Sequence, residues 1–473
     1  MTPRGSAQHR YPACSGGREV STTAGRRPTR VRAAIWLAVP MVVAVPALTL
    51  RVTGASIAAP LAALLLAAAV IGAAFLLTWG TELAELDIGE GLALALLAAI
   101  AVLPEYAVDV VFAIKAGQDP GRFAPLALAN MTGANRLLIG VGWSVVALVG
   151  IAAARRAHRA GRDAGGDVNL ADRRGASAVQ LRPVQVVEVA FLALASLYAL
   201  TFAFRSHLTV IDTVVLVGMF GVYLWVVARA QQRPTQHDEE DEDEDEDEAS
   251  ELFGPAITIA KLRPGARRVI TVVLLVAAAG IILLVAEPFA DALVQSGQQL
   301  HVNEFLLVQW VAPLASETPE FIAVLLMAYR LHSASALGAL VSSKINQWTL
   351  LVGVLPLVFA FSSGSLGGLP IDPAQREELA LTAAQSLFAV ALVVTNRLTS
   401  RGAIALLALF AAQFLLAWAL PEPIRGIERI TLTAVYLLAA LVIAIRRRTD
   451  VIRMFSSGLR GRARPNSVEP DAS

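Results

Sequence analysis

The sequence predicts an all-α polytopic membrane protein with about twelve transmembrane helices. Hydrophobic residues make up 56% of the 473 residues, charged residues make up only 16%, and the mean hydropathy is +0.61. The apolar residues fall into runs of roughly 18 or more, the length that a helix needs to cross a bilayer. Two of these runs carry the same pair, Pro104–Glu105 and Pro319–Glu320. Together these patterns exclude a soluble globular domain.

The apolar runs define the predicted spans in chain order. Each run is bounded by charged residues or by turn-forming residues. The twelve predicted spans are 33–50, 57–79, 88–114, 122–152, 183–204, 207–228, 268–295, 301–329, 334–361, 378–397, 402–420 and 426–445. The first run contains Pro40 and Pro46 and ends without a small-residue cleavage site, so we expect an uncleaved first span rather than a signal peptide.

The basic residues predict the orientation of the chain. Residues 238–248 are all acidic, and without them 39 basic residues face 27 acidic ones. Seven arginines lie in residues 1–32, seven in 153–182 and seven after Ile445. With twelve spans these segments share one side, which the positive-inside rule makes cytoplasmic. We therefore expect a multi-pass protein of the cell inner (plasma) membrane with both termini in the cytoplasm.

Charge and hydropathy divide the chain into five parts. A basic arm (1–32) precedes a first transmembrane half (33–228), a linker (229–267), a second transmembrane half (268–445) and a basic cytoplasmic tail (446–473). The acidic run predicts a disordered, solvated cytoplasmic linker, because like charges repel and bury no apolar surface. Loose calcium binding by this run is the alternative. The single cysteine, Cys14, excludes an intrachain disulfide.

The two halves resemble each other. In each half the Pro-Glu span is followed by a span with clustered polar residues, LALANMTGANRLLIGVGW in the first and ALGALVSSKINQWTLLVG in the second. The Pro-Glu spans are third and eighth in order, so they cross the membrane in opposite directions. Inverted repeats with helices interrupted at corresponding places are typical of secondary transporters that bind their substrate near the bilayer midplane.

The acidic residues around these prolines predict a cation site. Glu105 and Asp109 are four residues apart and share a helix face, and Glu317 and Glu320 flank Pro319 beside Ser316. Carboxylates, hydroxyls and the carbonyls freed by proline are hard oxygen ligands. They suit sodium, calcium, magnesium or manganese better than soft metals.

Two structural interpretations compete with this site. The acids could pair with Arg136 and Lys344, although buried ion pairs stabilise poorly. Asn130, Asn135 and Ser343 could make only helix–helix hydrogen bonds, as polar residues in membranes often do.

The same residues resemble the two repeats of the sodium/calcium exchanger superfamily, which read approximately G-T-S-x-P-E and then G-N-x-x-G-S-N. The matching stretches are IAVLPE with ANMTGAN in the first repeat (about 90–143) and ASETPE with GALVSSK in the second (about 301–355). The resemblance implies ten core helices in two inverted halves, 57–228 and 268–420, with one extra helix at each end. It also implies which residues act. Glu105 and Glu320 would bind the transported cation as its metal ligands, with Ser316, Asn130 and Asn135 as polar ligands.

The departures from the family pattern replace neutral ligands with titratable ones. The Thr-Ser pair before the first Pro-Glu is Ala101 and Val102, which removes two hydroxyls. Glu317 and Asp109 stand where the family has serines, and Lys344 matches Asn135 of the first repeat. Four ionised acids offset by Arg136 and Lys344 would leave a charge of −2, which one divalent cation, two monovalent cations or two protons neutralise. Burial also favours the protonated form of a carboxyl group, which suits proton exchange.

The leading functional hypothesis is a cation antiporter, not an enzyme, that exchanges calcium or sodium for protons. Sodium/calcium exchange proper is one alternative. A non-transporting membrane sensor or interaction protein is another, in which Glu317–Lys344 and Asp109–Arg136 pairs lock the fold shut. The expected partners are inorganic cations and the lipid bilayer, without nucleic acid or a cofactor. The transported ion, the stoichiometry and the oligomeric state stay open at this point.

Overall fold

The structure is a computed structural model that describes residues 30–87, 102–161, 167–170, 177–182, 185–231 and 252–461. Within these residues the chain is almost entirely helical, as the sequence predicts. The first half contains α1 (Arg30–Thr53), α2 (Ala59–Glu85), α3 (Leu103–Gln118), α4 (Pro120–Leu137), α5 (Ser144–Arg159), α6 (Gln185–Ala199) and α7 (Val210–Gln231). A π-helical turn (Leu138–Trp143) joins α4 to α5, and a 3-10 turn (Leu200–Phe204) follows α6.

The second half repeats this arrangement after a short helix. It contains α8 (Ala256–Ile259), α9 (Pro264–Leu300), α10 (Glu304–Tyr329), α11 (Ser333–Asn346), α12 (Val352–Ser363), α13 (Pro373–Val393), α14 (Ser400–Ala419), α15 (Glu422–Arg446) and α16 (Arg448–Gly458). A π-helical turn (Gln347–Leu351) joins α11 to α12. Each half therefore has one long helix with a π turn near its centre.

Ten helical stretches in the described residues are long and apolar enough to cross a membrane. Two other predicted spans coincide with helices outside this set. The predicted span 88–114 overlaps α3, which continues to Gln118, and residues 88–101 of the span lie outside the described residues. The predicted span 378–397 coincides with α13, which begins at Pro373 and carries charged residues in its first two turns.

Two small antiparallel sheets lie at opposite ends of the bundle. The strands β1 (Val168–Asn169), β2 (Ala178–Gln180) and β5 (Arg397–Thr399) form one sheet in the order β1-β2-β5. The strands β3 (His207–Leu208) and β4 (Leu369–Pro370) form the other. Because α6 runs from the end of β2 to the start of β3, the two sheets lie on opposite sides of the predicted membrane.

Two apolar cores flank the polar centre of the molecule. One core joins α1, α2, α9 and α10 around buried side chains such as Trp79 and Phe289. The other joins α5, α6, α11 and α13 around Trp143 and Trp348. The helices α3 and α4 contribute to both cores, and this position places their polar residues between the two.

The structure corrects two expectations. The second repeat is not interrupted at Pro319, because α10 runs as one helix through Pro313 and Pro319. Each proline removes one helical hydrogen bond without unwinding the helix. The predicted disordered linker is also shorter than expected. Residues 252–267 are folded, and Leu252 and Phe253 are buried against α2. The acidic run 238–248 lies outside the described residues.

Candidate site of buried carboxyl groups

The start of α3 presents the first Pro-Glu pair. Val102 precedes the first helical residue, and Pro104 occupies the first turn, where its missing N–H leaves no helical bond unmade. Glu105 lies in the same turn and is only 5% exposed. The free N–H groups of a helix start favour a carboxylate there. Asp109 lies one turn further along, fully buried.

The second Pro-Glu pair lies in the middle of α10. Glu317 is 1% exposed, and Glu320 is half-buried one turn further along. The hydroxyl of Ser316 donates to the carbonyl oxygens of Ala312 and Pro313 in its own helix. The predicted hydroxyl ligand is therefore turned toward its own backbone in this state.

One amide group joins the carboxylates of the two halves. The Nε2 atom of Gln347 lies 3.2 Å from both carboxylate oxygens of Glu105 and 2.8 Å from Oε1 of Glu317. Gln347 is fully buried and begins the π turn after α11. The other Glu317 oxygen, Oε2, has no hydrogen-bond partner among the described residues. Two acids that sequence comparison assigns to different repeats thus share one neutral donor.

The remaining predicted acids lie at the edges of this contact. Asn130 donates from Nδ2 to Oδ1 of Asp109 at 2.9 Å, and Oδ2 of Asp109 has no partner among the described residues. Ser343 donates to Oε2 of Glu320 at 3.4 Å. Glu105 lies within electrostatic range of Glu320 and Asp109. All four predicted carboxyl groups therefore belong to one cluster.

The two predicted cations have different partners from those considered in the sequence. Lys344 donates from Nζ to the backbone oxygen of Asn135 at 2.8 Å and to its side-chain oxygen, and it lies over the ring of Trp348. Arg136 lies 2.6 Å from Glu378 of α13. Neither of the proposed locking pairs, Glu317–Lys344 or Asp109–Arg136, forms an ion pair among the described residues.

The charge balance of the cluster changes accordingly. Arg136 is held by Glu378, so it offsets no carboxylate of the cluster. Four ionised acids and one ionised lysine give −4 + 1 = −3 instead of the −2 expected from the sequence. Such a charge in a dry interior is too costly to stand alone, so the acids must hold protons or a cation.

The π turns mark corresponding positions in the two repeats. The first begins at Leu138, three residues after Asn135, and the second at Gln347, three residues after Lys344. This spacing agrees with the match of Asn135 to Lys344 in the sequence, and these two residues contact each other directly. π turns widen a helix locally and occur often at functional sites. In the second repeat the turn aims Gln347 at the carboxyl groups.

Gln347 and Glu378 are the site residues that the sequence did not single out. Gln347 is uncharged and lies within the run of polar residues that follows the second Pro-Glu span. Glu378 is 242 residues from Arg136, so no local spacing connects them. In the described residues, no three His, Cys, Asp or Glu side chains are arranged to hold a metal ion. Carboxyl groups like those of the cluster can bind protons, and carboxyl and amide oxygens are suitable ligands for hard cations.

Comparison with known proteins finds a family and solved structures that share this architecture. The model of the family described as sodium/calcium exchanger protein matches residues 57–229 and 270–419. A crystal structure described as the H+/Ca2+ exchanger CAX is 34% identical with a TM-score of 0.77, and the match covers 91% of this chain and 98% of that chain. A structure of the Ca2+/H+ antiporter protein YfkE shares the fold at 14% identity and a TM-score of 0.55, covering 82% of this chain and 100% of that one.

Comparison with functionally curated proteins gives no match. The family match nevertheless covers well over half of the chain, and the solved structure at 34% identity spans nearly all of it. The predicted superfamily and the predicted all-α polytopic fold are both confirmed by these matches. The chain belongs to the sodium/calcium exchanger protein family of membrane transporters for inorganic cations.

Proposed function

We propose that this protein is a calcium/proton antiporter in which one calcium ion and two protons compete for the buried carboxyl cluster. The observation that carries the proposal is the amide of Gln347 held between Glu105 and Glu317. It supports a site shared by both repeats, as alternating access around a central site requires. The 34% identity to a structure described as an H+/Ca2+ exchanger supports calcium and protons as the pair of ions.

The proposed exchange balances charge at each step. With two carboxyl groups protonated, the cluster is ready to face either side of the membrane. Binding of calcium displaces two protons. The ion brings a charge of +2 and the two protons remove the same charge, so the buried charge stays constant. Glu105 and Glu320 are the proposed cation ligands. These two groups hold the two protons that calcium displaces, with Asp109 and Glu317 beside them, and Lys344 stays fixed on Asn135 as the internal cation.

Sodium/calcium exchange is less well supported by the site. The family hydroxyls before the first Pro-Glu are absent, and the one at Ser316 donates to its own helix. The non-transporting alternative required ion pairs that lock the two halves. Arg136 and Lys344 contact Glu378 and Asn135 instead, which leaves the four acids of the cluster for transported ions.

The test is calcium uptake by the purified full-length chain in liposomes, with pH, sodium and calcium gradients applied one at a time. We expect uptake driven by a pH gradient and none driven by a sodium gradient at fixed pH. Glu105→Gln and Glu320→Gln should each reduce uptake to the level of empty liposomes. The matched control is Glu287→Gln, which changes an exposed glutamate of α9 paired with Arg51 and should transport normally. Uptake by either central variant at the wild-type rate would refute the assigned site.

A further inference from the structure

The helix α6 carries a carboxyl group that the proposed exchange does not use. Glu188 lies in its first turn, and its Oε2 atom is enclosed without a hydrogen-bond partner among the described residues. Glu188 forms no ion pair within the described residues; its neighbours are Tyr223 and, through the Tyr223 hydroxyl, Ser342. A buried carboxylate without a counter-charge is costly, so this group favours a bound proton.

Asp212, near the start of α7 at the opposite end of the bundle, shows what a structural acid looks like in this chain. It accepts hydrogen bonds from Tyr198 and from both the backbone and the hydroxyl of Thr209, and it pairs with Arg205. Both of its oxygens are satisfied and its charge is neutralised. Glu188 has neither property, so a structural role like that of Asp212 does not account for an acid at this position.

The partners of Glu188 lead toward the central cluster. The Tyr223 hydroxyl of α7 lies 3.4 Å from Oε1 of Glu188 and 3.2 Å from the hydroxyl of Ser342 in α11. Ser342 is followed by Ser343, whose hydroxyl donates to Glu320. Adjacent residues of one helix thus face two carboxyl groups, one central and one peripheral.

The position of Glu188 also favours access to water on one side. The helix α6 begins at Gln185, close to the end of β2, on the side of the bundle that bears the three-stranded sheet. Glu188 is one turn from this end and is itself half-buried. It therefore lies between the central cluster and the predicted cytoplasmic face.

We propose that Glu188, Tyr223 and Ser342 form a second proton-binding site that passes protons between Glu320 and the cytoplasmic water. The proposal rests on the calcium/proton antiport proposed above. A proton released as Glu320 becomes a carboxylate is taken up by the Glu188 carboxylate, which becomes the neutral acid. That acid then releases the proton to water as hydronium and is ready to accept the next. The titratable groups that face Glu188 in the described residues are Tyr223 and, beyond the two serines, Glu320.

Two transport modes in liposomes separate this role from a structural one. Calcium–calcium exchange without a pH gradient needs only the central site, whereas proton-driven calcium uptake needs proton delivery as well. We expect Glu188→Gln to reduce the rate of proton-driven uptake by roughly tenfold. This loss is smaller than is usual when an acid–base group is removed, because water can partly replace the carboxyl group as a proton carrier. Calcium–calcium exchange should remain within about twofold of wild type, because distant sites without shared partners act nearly independently. Glu188→Asp should restore part of the proton-driven rate.

The controls cover folding and the proposed function. Glu287→Gln should change neither mode. Tyr223→Phe keeps the ring and should lower only the proton-driven mode. This variant takes the place of Glu188→Gln as the test if Glu188→Gln does not fold. Equal loss of both modes with a lower melting temperature, or no loss in either, overturns the second site. If the wild-type protein shows calcium–calcium exchange but no proton-driven uptake, the proposed antiport fails and this site fails with it. Wild-type proton-driven uptake with unchanged Glu188 variants rejects the second site alone.

Discussion

Gly133 in α4 allows one of the closest backbone contacts beside the carboxyl cluster. A Cβ atom at this position would lie 1.7 Å from the carbonyl oxygen of Gln309 in α10. That carbonyl lacks its usual helical donor, because position 313 is a proline without an N–H. Close packing of α4 on α10 therefore depends on the absence of a side chain at residue 133.

We expect Gly133→Ala to reduce the free energy of unfolding by about 1–3 kcal/mol, the usual cost of overpacking, and to reduce calcium uptake with it. The measurement is thermal unfolding in detergent beside liposome uptake. Gly280→Ala in α9 is the matched control, since nothing lies within 4 Å of a Cβ there. If the two variants melt at the same temperature, the contact with Gln309 does not constrain the packing.

Gln347 is the residue whose side chain joins the two repeats. Gln347→Leu keeps a similar volume but leaves Glu105 and Glu317 without their shared donor. An unsatisfied buried polar group costs about 1–3 kcal/mol, so we expect calcium affinity or uptake rate to fall by roughly tenfold. The measurement is the calcium dependence of uptake. Gln295→Leu, at an exposed position of α9, serves as the control and should keep wild-type affinity.

The sequence predicted which acids lie together more successfully than which groups they contact. Proline next to glutamate in an apolar run is conspicuous, and all four predicted acids lie in one cluster. The contacts of Gln347 and Glu378 depend on helices far apart in the chain, so local spacing could not reveal them. Ser316 was predicted as a ligand from the family pattern, but a hydroxyl in a helix can donate to its own backbone at little cost.

At the scale of elements, one ion-pair cluster fastens the end of α2 to the start of α9. Asp87 accepts two hydrogen bonds of 2.7 Å from Arg267 and one of 3.1 Å from Arg268. The hydrogen bonds from Arg267, opposed by burial and aided by Arg268, lower the pKa of Asp87 from 3.8 to about 2. This cluster joins the two halves across the linker on the predicted cytoplasmic side.

The lowered pKa gives this cluster a defined pH dependence. The folded state binds its proton less readily than the unfolded state, so the stabilisation is complete above the unfolded pKa of 3.8. It is lost as the pH falls through the folded pKa of about 2. We expect the melting temperature of wild type to fall more steeply than that of Asp87→Asn between these pH values. Parallel melting curves for the two proteins would mean that the cluster does not stabilise the fold.

The π turns show which features of an element the sequence conceals. Both lie inside long apolar helices, and neither contains a proline. The first turn contains Gly140 and Gly142, which are a weak signal of a helix distortion, whereas the second contains no glycine. Hydrophobic periodicity predicted the long helices that contain them. The extra residue in a π turn instead depends on packing against the other repeat, which only the folded chain supplies.

For the whole molecule, hydropathy predicted the architecture because the bilayer sets the length of each span. The predicted boundary at the linker was less accurate, since residues 252–267 contain buried apolar side chains beside the acidic run. The run's charge dominated the composition of the segment and masked Leu252 and Phe253. The side of the membrane that each end faces rests on the arginine distribution alone and stays a prediction.

The two small sheets and the single cysteine make that orientation testable. In a Cys14→Ser background, Asn169→Cys places a thiol at an exposed position of β1, and Leu366→Cys places one beside β4 at a residue that is 79% exposed. Because α6 and its 3-10 turn cross the predicted bilayer between the two sheets, the thiols should lie on opposite sides.

An impermeant maleimide added to intact cells should modify Leu366→Cys at once and Asn169→Cys only after permeabilisation. The reverse pattern would place both termini outside the cell, and modification of both thiols from one side would contradict the crossing of α6. With the termini in the cytoplasm, Glu188 faces the cytoplasmic water, as the proposed proton path requires.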